Sequence, residues 1–421
     1  MTHASSPALN HHLRRMTGRD PHEAHRVATP LELLFDLTFA TAFSLAAGQF
    51  AHLLAQGHYA PALIGFAMAG FAICWAWVNF SWFASAYDTD DWIYRLATLV
   101  QMIGVLILAV GTPRLFASLV HGGQADFSIM VTGYVVMRIA LVSQWLRAAR
   151  EDPVRRKACL TYAGLVTLVQ IGWVVMALLP PPGVGAGLIA ALWIAEFLTP
   201  VICERMSGGT PWHAHHMVER YSLFALIALG EGIAGTVTAL NAVINHQGWT
   251  LDVALVSIAG AGLTFGLWWI YYILPSAPVI EAHRDRATVW GVGQIVLITT
   301  IVATGAGLHV SAFALAREMP MSALSVLLIL AVPVGLFLAT AYLIYYYLVR
   351  SFDRLHILLL SATAAVFALS IIAAAQGLDL AACLVILTAA PIVTIVGNEV
   401  AGYLHQKAAL KQLAREQKAQ P

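Results

Sequence analysis

Runs of roughly 20 apolar residues recur along this chain, and each is long enough, at about 1.5 Å per residue, to cross the ~30 Å hydrocarbon core of a bilayer. Twelve are read, at about 33–55, 61–83, 96–119, 127–147, 158–180, 185–203, 219–240, 251–274, 287–310, 322–348, 355–375 and 379–403. Of 421 residues only 11% are charged, against roughly 25% in soluble domains. The fold class is therefore all-α: a polytopic integral membrane protein of about 12 transmembrane helices. The lipid bilayer is its first partner, and no nucleic-acid partner is expected.

Basic residues give the orientation. With a cytoplasmic N-terminus, that tail carries Arg14, Arg15, Arg19 and Arg26, and the connections on the same side carry Arg95, Arg147, Arg150, Arg155, Arg156, Lys157, Arg205, Arg220, Arg284, Arg286, Arg350 and Arg354. Lys407, Lys411, Arg415 and Lys418 follow in the C-terminal tail. Of the 23 lysines and arginines, Arg114 and Arg317 fall opposite, and Arg138 lies within a span. This positive-inside bias places both termini in the cytoplasm. No cleaved signal peptide is expected, because the polar head leads into a span too long for a leader's apolar core. Cys74, Cys159, Cys203 and Cys383 lie in or at the ends of different spans and suggest neither a disulfide framework nor a thiolate metal site.

Spans 1–6 and 7–12 read as two copies of one unit. Trp75–Gln101 aligns without a gap on Trp268–Gln294, and Glu32 and Glu219 open the leading span of each half. Six spans per copy is even, so the halves form a pseudo-twofold, parallel 6+6 repeat about an axis along the membrane normal. The expected divisions are a tail over 1–29, repeats over 30–205 and 206–405, and a tail over 406–421, with a turn-rich linker from Glu204 to Pro211.

Ionisable groups inside spans are expensive and usually face protein, so they mark the candidate site. Glu32 and Asp36 lie four apart on one helical face, with Pro30 suited to the first turn. Glu32 also reads as an ordinary helix-start acid, favoured by the helix dipole. Arg138, Glu196 and Glu231 should each stand about 17 Å into their spans, either as a neutralised structural triad or as a proton or substrate site. Arg220 and Glu231 share nearly one face of span 7, which should turn inward. Asn79, Gln101 and Gln294 read as interhelical packing groups, with Asn79 also a candidate site residue. His213, His216 and Glu219, spaced i, i+3 and i+6, could hold a divalent metal but lack the rest of any zinc signature. No other cofactor is expected. The aromatic clusters at Trp75–Trp77, Trp268–Trp269 and Tyr345–Tyr347 read as interfacial belts, while Tyr271 and Tyr272 could line a cavity.

Three motifs carry a family resemblance: Pro30-Leu31-Glu32-Leu33-Leu34-Phe35-Asp36-Leu37, Asn79 through Asp91, and His216-Met217-Val218-Glu219-Arg220-Tyr221-Ser222-Leu223-Phe224 followed by Leu229-Gly230-Glu231. In this order they resemble the hallmarks of the bacterial low temperature requirement A (LtrA) proteins. The resemblance implies a bacterial inner-membrane protein associated by name with growth in the cold. It brings no biochemical activity, substrate or cofactor. The motif residues it carries over are Glu32, Asp36, Asn79, Tyr87, Asp88, Asp90, His216, Glu219, Arg220 and Glu231, without catalytic roles.

Three functions fit. The first is a secondary, proton-coupled transporter of a small molecule or ion, with Glu32, Asp36, Asn79, Arg138, Glu196, Glu219, Arg220 and Glu231 as its substrate or proton site. The second is a membrane-embedded enzyme acting on a lipid or isoprenoid; catalytic residues are unknown and the enzyme reading ranks below transport. The third is a non-catalytic scaffold linked to cold growth. A homo-oligomer is compatible with each.

Overall fold

The computed structural model describes residues 13–23, 26–122, 125–179, 185–205, 209–350, 354–402 and 407. Among them all regular structure is helical. The helices are α1 (Pro30–Ala55), α2 (Tyr59–Tyr87), α3 (Trp92–Val120), α4 (Ser128–Glu151), α5 (Arg156–Leu178), α6 (Gly185–Arg205), α7 (Ala214–Gln247), α8 (Leu251–Ile273), the short α9 (Ser276–Ala282), α10 (Ala287–Leu315), α11 (Ala323–Val349), α12 (Arg354–Ala375) and α13 (Leu380–Gly397). A 3₁₀ turn (Arg284–Arg286) precedes α10 and a π-turn (Asn398–Gly402) closes α13. Twelve helical spans are long and apolar enough to cross a membrane. Leu37, Val110, Ile139, Leu168, Val332, Leu343 and Leu358 are each more than half exposed. Such apolar surface fits a lipid surround, where it needs no protein partner.

α7 starts at Ala214 rather than 219, because the polar turn around His216 and Glu219 is itself helical, and it runs on to Gln247 past the expected 240. Span 8 ends where expected, ahead of Pro275, which has no N–H to continue the ladder, and Ser276–Ala282 follows as a separate short helix. Met206–Gly208 of the expected linker, residues 24 and 25 of the N-terminal tail, and Lys411, Arg415 and Lys418 of the C-terminal tail lie outside the described residues.

The chain forms two compact units whose segments interleave in sequence. The first comprises the described residues of Met1–Thr38, Ala76–Gly111 and Asp126–Met217; the second comprises those of Phe39–Trp75, Thr112–Ala125 and Val218–Pro421. Neither is a contiguous half of the chain.

In the first unit an aromatic core gathers Phe83, Tyr87, Tyr94, Trp145 and Tyr162 around the buried Met16 of the N-terminal tail. Trp145 stacks on Tyr162 with centroids 4.3 Å apart and takes the Phe83 edge at 4.7 Å. α3 and α4 cross almost backbone to backbone: a Cβ on Gly133 would stand 2.5 Å from the Gly104 carbonyl oxygen and 2.6 Å from the Leu108 nitrogen. Only glycine permits that approach, as is usual where membrane helices associate through small residues. The second unit uses the same device where α7 meets α10, since a Cβ on Gly305 would lie 2.6 Å from the Glu231 backbone. Its Phe224 packs against Phe39 and Phe43 at 5.7 and 5.2 Å.

Candidate functional site

The start of α1 makes a reciprocal cap. The Thr29 N–H donates to Glu32 Oε2 at 2.7 Å, and the Glu32 N–H donates to Thr29 Oγ1 at 3.3 Å. This Thr-x-x-Glu capping box, with Pro30 in the first turn, explains why the helix begins here. The helix-start reading of Glu32 is therefore correct but incomplete. Its side chain is fully buried, and Oε1 faces His216 Nε2 at 3.2 Å and the Arg26 guanidinium at 3.8 Å.

Arg26 is the counter-cation of the site. Its side chain is 2% exposed; NH2 donates to the Ala84 carbonyl at 3.0 Å, and NH1 stands 3.7 Å from Asp88 Oδ2. Asp88, in the loop after α2, also accepts the Asp90 N–H at 2.8 Å. Burial, reinforced by the negative charge of Glu32 and opposed by Arg26, pushes the Asp88 carboxyl up to about 6. The cluster thus holds two carboxylates, one permanent cation and one imidazole, all at 6% exposure or less. With both acids ionised and His216 neutral these four groups sum to −1, and a proton on Asp88 brings the sum to zero. With its carboxyl pushed up to about 6, Asp88 takes up and releases that proton near neutral pH.

His213 supports the cluster. Its Nδ1 accepts the His216 backbone N–H at 3.2 Å, which fixes the proton on Nε2, where it reaches the Glu23 carbonyl at 2.8 Å. The His213 N–H in turn donates to Ser85 Oγ at 3.0 Å. Both ring nitrogens of His213 are occupied, leaving no lone pair for a metal ion. No group of three His, Cys, Asp or Glu side chains that could hold a metal forms among the described residues, the set His213, His216 and Glu219 included.

One turn deeper, Asp36 accepts the Trp77 indole N–H at 2.7 Å, and both side chains are fully buried. Trp77 is thus a partner of an acid inside the protein and not part of an interfacial belt; Trp75, 5% exposed, is equally buried. A separate pair in the same unit joins Arg138 to Glu196 at 2.9 Å, with the second guanidinium nitrogen donating to Asn79 Oδ1 at 2.8 Å and the Tyr134 ring 5.5 Å away. This pair is charge-balanced one to one. Gln101 donates to Gln144 at 2.9 Å, as expected of a packing amide.

The second unit holds the other candidates. Glu231 accepts the Ser44 hydroxyl, and Arg220 is completely buried. Both residues of that α7 face are turned inward, as their spacing requires. Glu219 is half-buried. The expected triad of Arg138, Glu196 and Glu231 is accordingly a pair in one unit and a separate Glu–Ser contact in the other.

Sequence reasoning missed three features. Arg26 counts there as a solvated tail charge, yet it is the cation of the main cluster; a buried acid's need for a counter-charge, applied to the nearest basic residue before Glu32, points to it. The tail preceding α1 is a strap rather than a free arm. Arg14 N–H donates to Asp91 at 3.2 Å, Gly18 N–H to Asp152 at 3.3 Å, and Arg19 N–H to the Ala86 carbonyl at 3.0 Å. Arg147 clamps Asp91 with bonds of 3.1 and 2.6 Å. Burial acts to raise the Asp91 pKa, but these donors outweigh it and hold the carboxyl at about 2. The third is Glu204, whose Oε1 accepts from Trp82 (2.9 Å), Tyr162 (2.8 Å) and Thr210 (2.6 Å).

The profile of one family, "Bacterial low temperature requirement A protein (LtrA)", matches residues 27–391, nearly the whole chain. The chain is also similar to "Uncharacterized protein RA0937" of Rhizobium meliloti (strain 1021), at 25% identity over 254 residues, covering 57% of each protein. It therefore spans a little over half of that relative's length. No solved structure matches the chain.

Proposed function

The chain belongs to the bacterial low temperature requirement A family, and on that premise we propose that it is a proton-coupled secondary transporter of a small molecule or ion. The observation that carries this reading is the buried Arg26–Glu32–His216–Asp88 cluster, in which two acids flank the Arg26 guanidinium and one of them faces an imidazole. Such a cluster changes its preferred conformation with its proton load: protonated, it is neutral and stable when shut from water, and deprotonated, its excess charge favours opening. Glu32 and His216 would pass the proton, and Asp88 would set the pH range. Arg138–Glu196–Asn79 would hold its helices together through a balanced pair. Asp36 would belong to the proton site in the first unit, and Glu219, Arg220 and Glu231 would bind substrate in the second. The parallel six-plus-six repeat, inner-membrane location and cytoplasmic termini expected from the sequence would suit this role.

The test uses proteoliposomes of the full chain on a solid-supported membrane, stepped from pH 8 to pH 6. A proton-coupled carrier gives a transient inward charge displacement even before a substrate is found. Glu32→Gln and Asp88→Asn should each abolish it, while Arg15→Ala, at an exposed tail position, should not. A wild-type protein electrically silent across the step, or a current that both variants retain, would overturn the reading.

A further inference from the structure

The buried cluster does not involve a groove in the second unit. Phe265, Trp268, Trp269 and Tyr272 recur at i, i+3, i+4 and i+7, so their rings share one face of α8. They pack ring to ring, with centroids 5.3 Å apart for Phe265–Trp268, 5.5 Å for Phe265–Trp269 and 5.5 Å for Trp268–Tyr272. The π-turn that ends α13 places Asn398 and Glu399 on the same groove. Such turns give up regular helix bonding and are frequent at functional sites. Trp269 donates its indole N–H to Glu399 Oε1 at 3.1 Å, which holds the carboxylate beside the rings. The groove encloses about 620 Å³, the scale of a small-ligand site.

Its chemistry selects a cation. Ring faces attract an ammonium group electrostatically, and among the described lining residues Glu399 is the one carboxylate and none is lysine or arginine. Asn398 also borders a narrower, almost wholly apolar crevice shared by α8, α11, α12 and α13. A cation site opening on an apolar crevice fits an amphiphile better than a soluble amine. We propose that this groove binds a membrane lipid with an ammonium headgroup. The ammonium sits over the Trp268 and Tyr272 rings and hydrogen-bonds Glu399, and the first acyl carbons enter the crevice.

The experiment is native mass spectrometry of the delipidated full-length protein, titrated separately with phosphatidylethanolamine and with phosphatidylglycerol of the same acyl chains. Phosphatidylethanolamine should be retained about tenfold more strongly, the scale of one charge-assisted contact. Glu399→Gln should bring the two lipids close to parity, and Trp268→Leu should do the same by removing a ring. Trp249→Phe, at a position 83% exposed, should keep the preference. Equal retention of the two lipids by the unmodified protein, or a preference that survives both groove variants, overturns the proposal. So does occupancy by ethanolamine alone with no preference between the lipids, which would make the ligand a soluble amine.

Discussion

Replacing Asp88 by Asn should stabilise this protein at alkaline pH, although it removes a partner from a buried ion pair. The carboxyl titrates at about 6 in the folded protein against an ordinary 3.8. That difference of about 2 units, at 1.36 kcal/mol per unit, corresponds to about 3 kcal/mol. Between those two values the folded state binds more protons than the unfolded chain, so stability falls as pH rises through the window, and the full penalty is present above about pH 6. Asn carries no charge and escapes it. Its amide oxygen can still accept the Asp90 N–H, and Arg26 keeps Glu32 and the Ala84 carbonyl. One effect opposes the gain: the amide NH2 would face Arg26 NH1 across the present 3.7 Å contact, donor to donor. A net gain of about 1–3 kcal/mol at pH 8 remains. Intrinsic-fluorescence melting in detergent, at one scan rate, measures it. The variant should melt several degrees above the wild type at pH 8 and coincide with it near pH 4. A variant that melts lower at pH 8, or one with the same offset at both pH values, would refute the assigned proton on Asp88.

Two further outcomes test the packing. Trp77→Phe removes the indole donor from the buried Asp36 carboxylate and should lower stability by about 1–3 kcal/mol; an unchanged melting temperature would show that the bond contributes nothing net. Gly133→Ala forces a Cβ to within 2.5 Å of the Gly104 carbonyl, and should destabilise by about 1–3 kcal/mol despite the better helix propensity of alanine. Gly164→Ala, where a Cβ would meet nothing within 4 Å, is its control and should be neutral or gain up to about 1 kcal/mol in the same melting assay.

The fold was legible because lipid imposes one rule on every span, that the backbone bond to itself over about 20 residues. Hydropathy alone therefore recovers the 12 spans. It misplaces the start of α7, where His216 and Glu219 are polar yet helical, since apolar runs report the lipid-filled stretch and not the helix. Packing partners within a unit are beyond such a reading. α3 and α4 approach through Gly104 and Gly133, and sequence shows the glycines without their partners.

For the polar groups the same logic identified acids correctly and their partners poorly. Glu32, Asp36, Arg138 and Glu196 are all buried, as the insertion penalty requires. Depth along a span, however, says nothing of rotation between helices. Arg138 and Glu196 are paired, whereas Glu231, assigned the same depth, bonds Ser44 in the other unit. The decisive error concerns Arg26. Sorting basic residues by side treats each as a solvated marker of topology, and most are. A carboxylate at 0% exposure still requires a counter-charge or a proton, and Arg26 at 3.8 Å and His216 at 3.2 Å both stand beside Glu32. With Asp88 on the other face of Arg26, the charge of these four groups depends on the pH. That pH dependence separates these four groups from the Arg138–Glu196 pair, where one guanidinium meets one carboxylate at 2.9 Å.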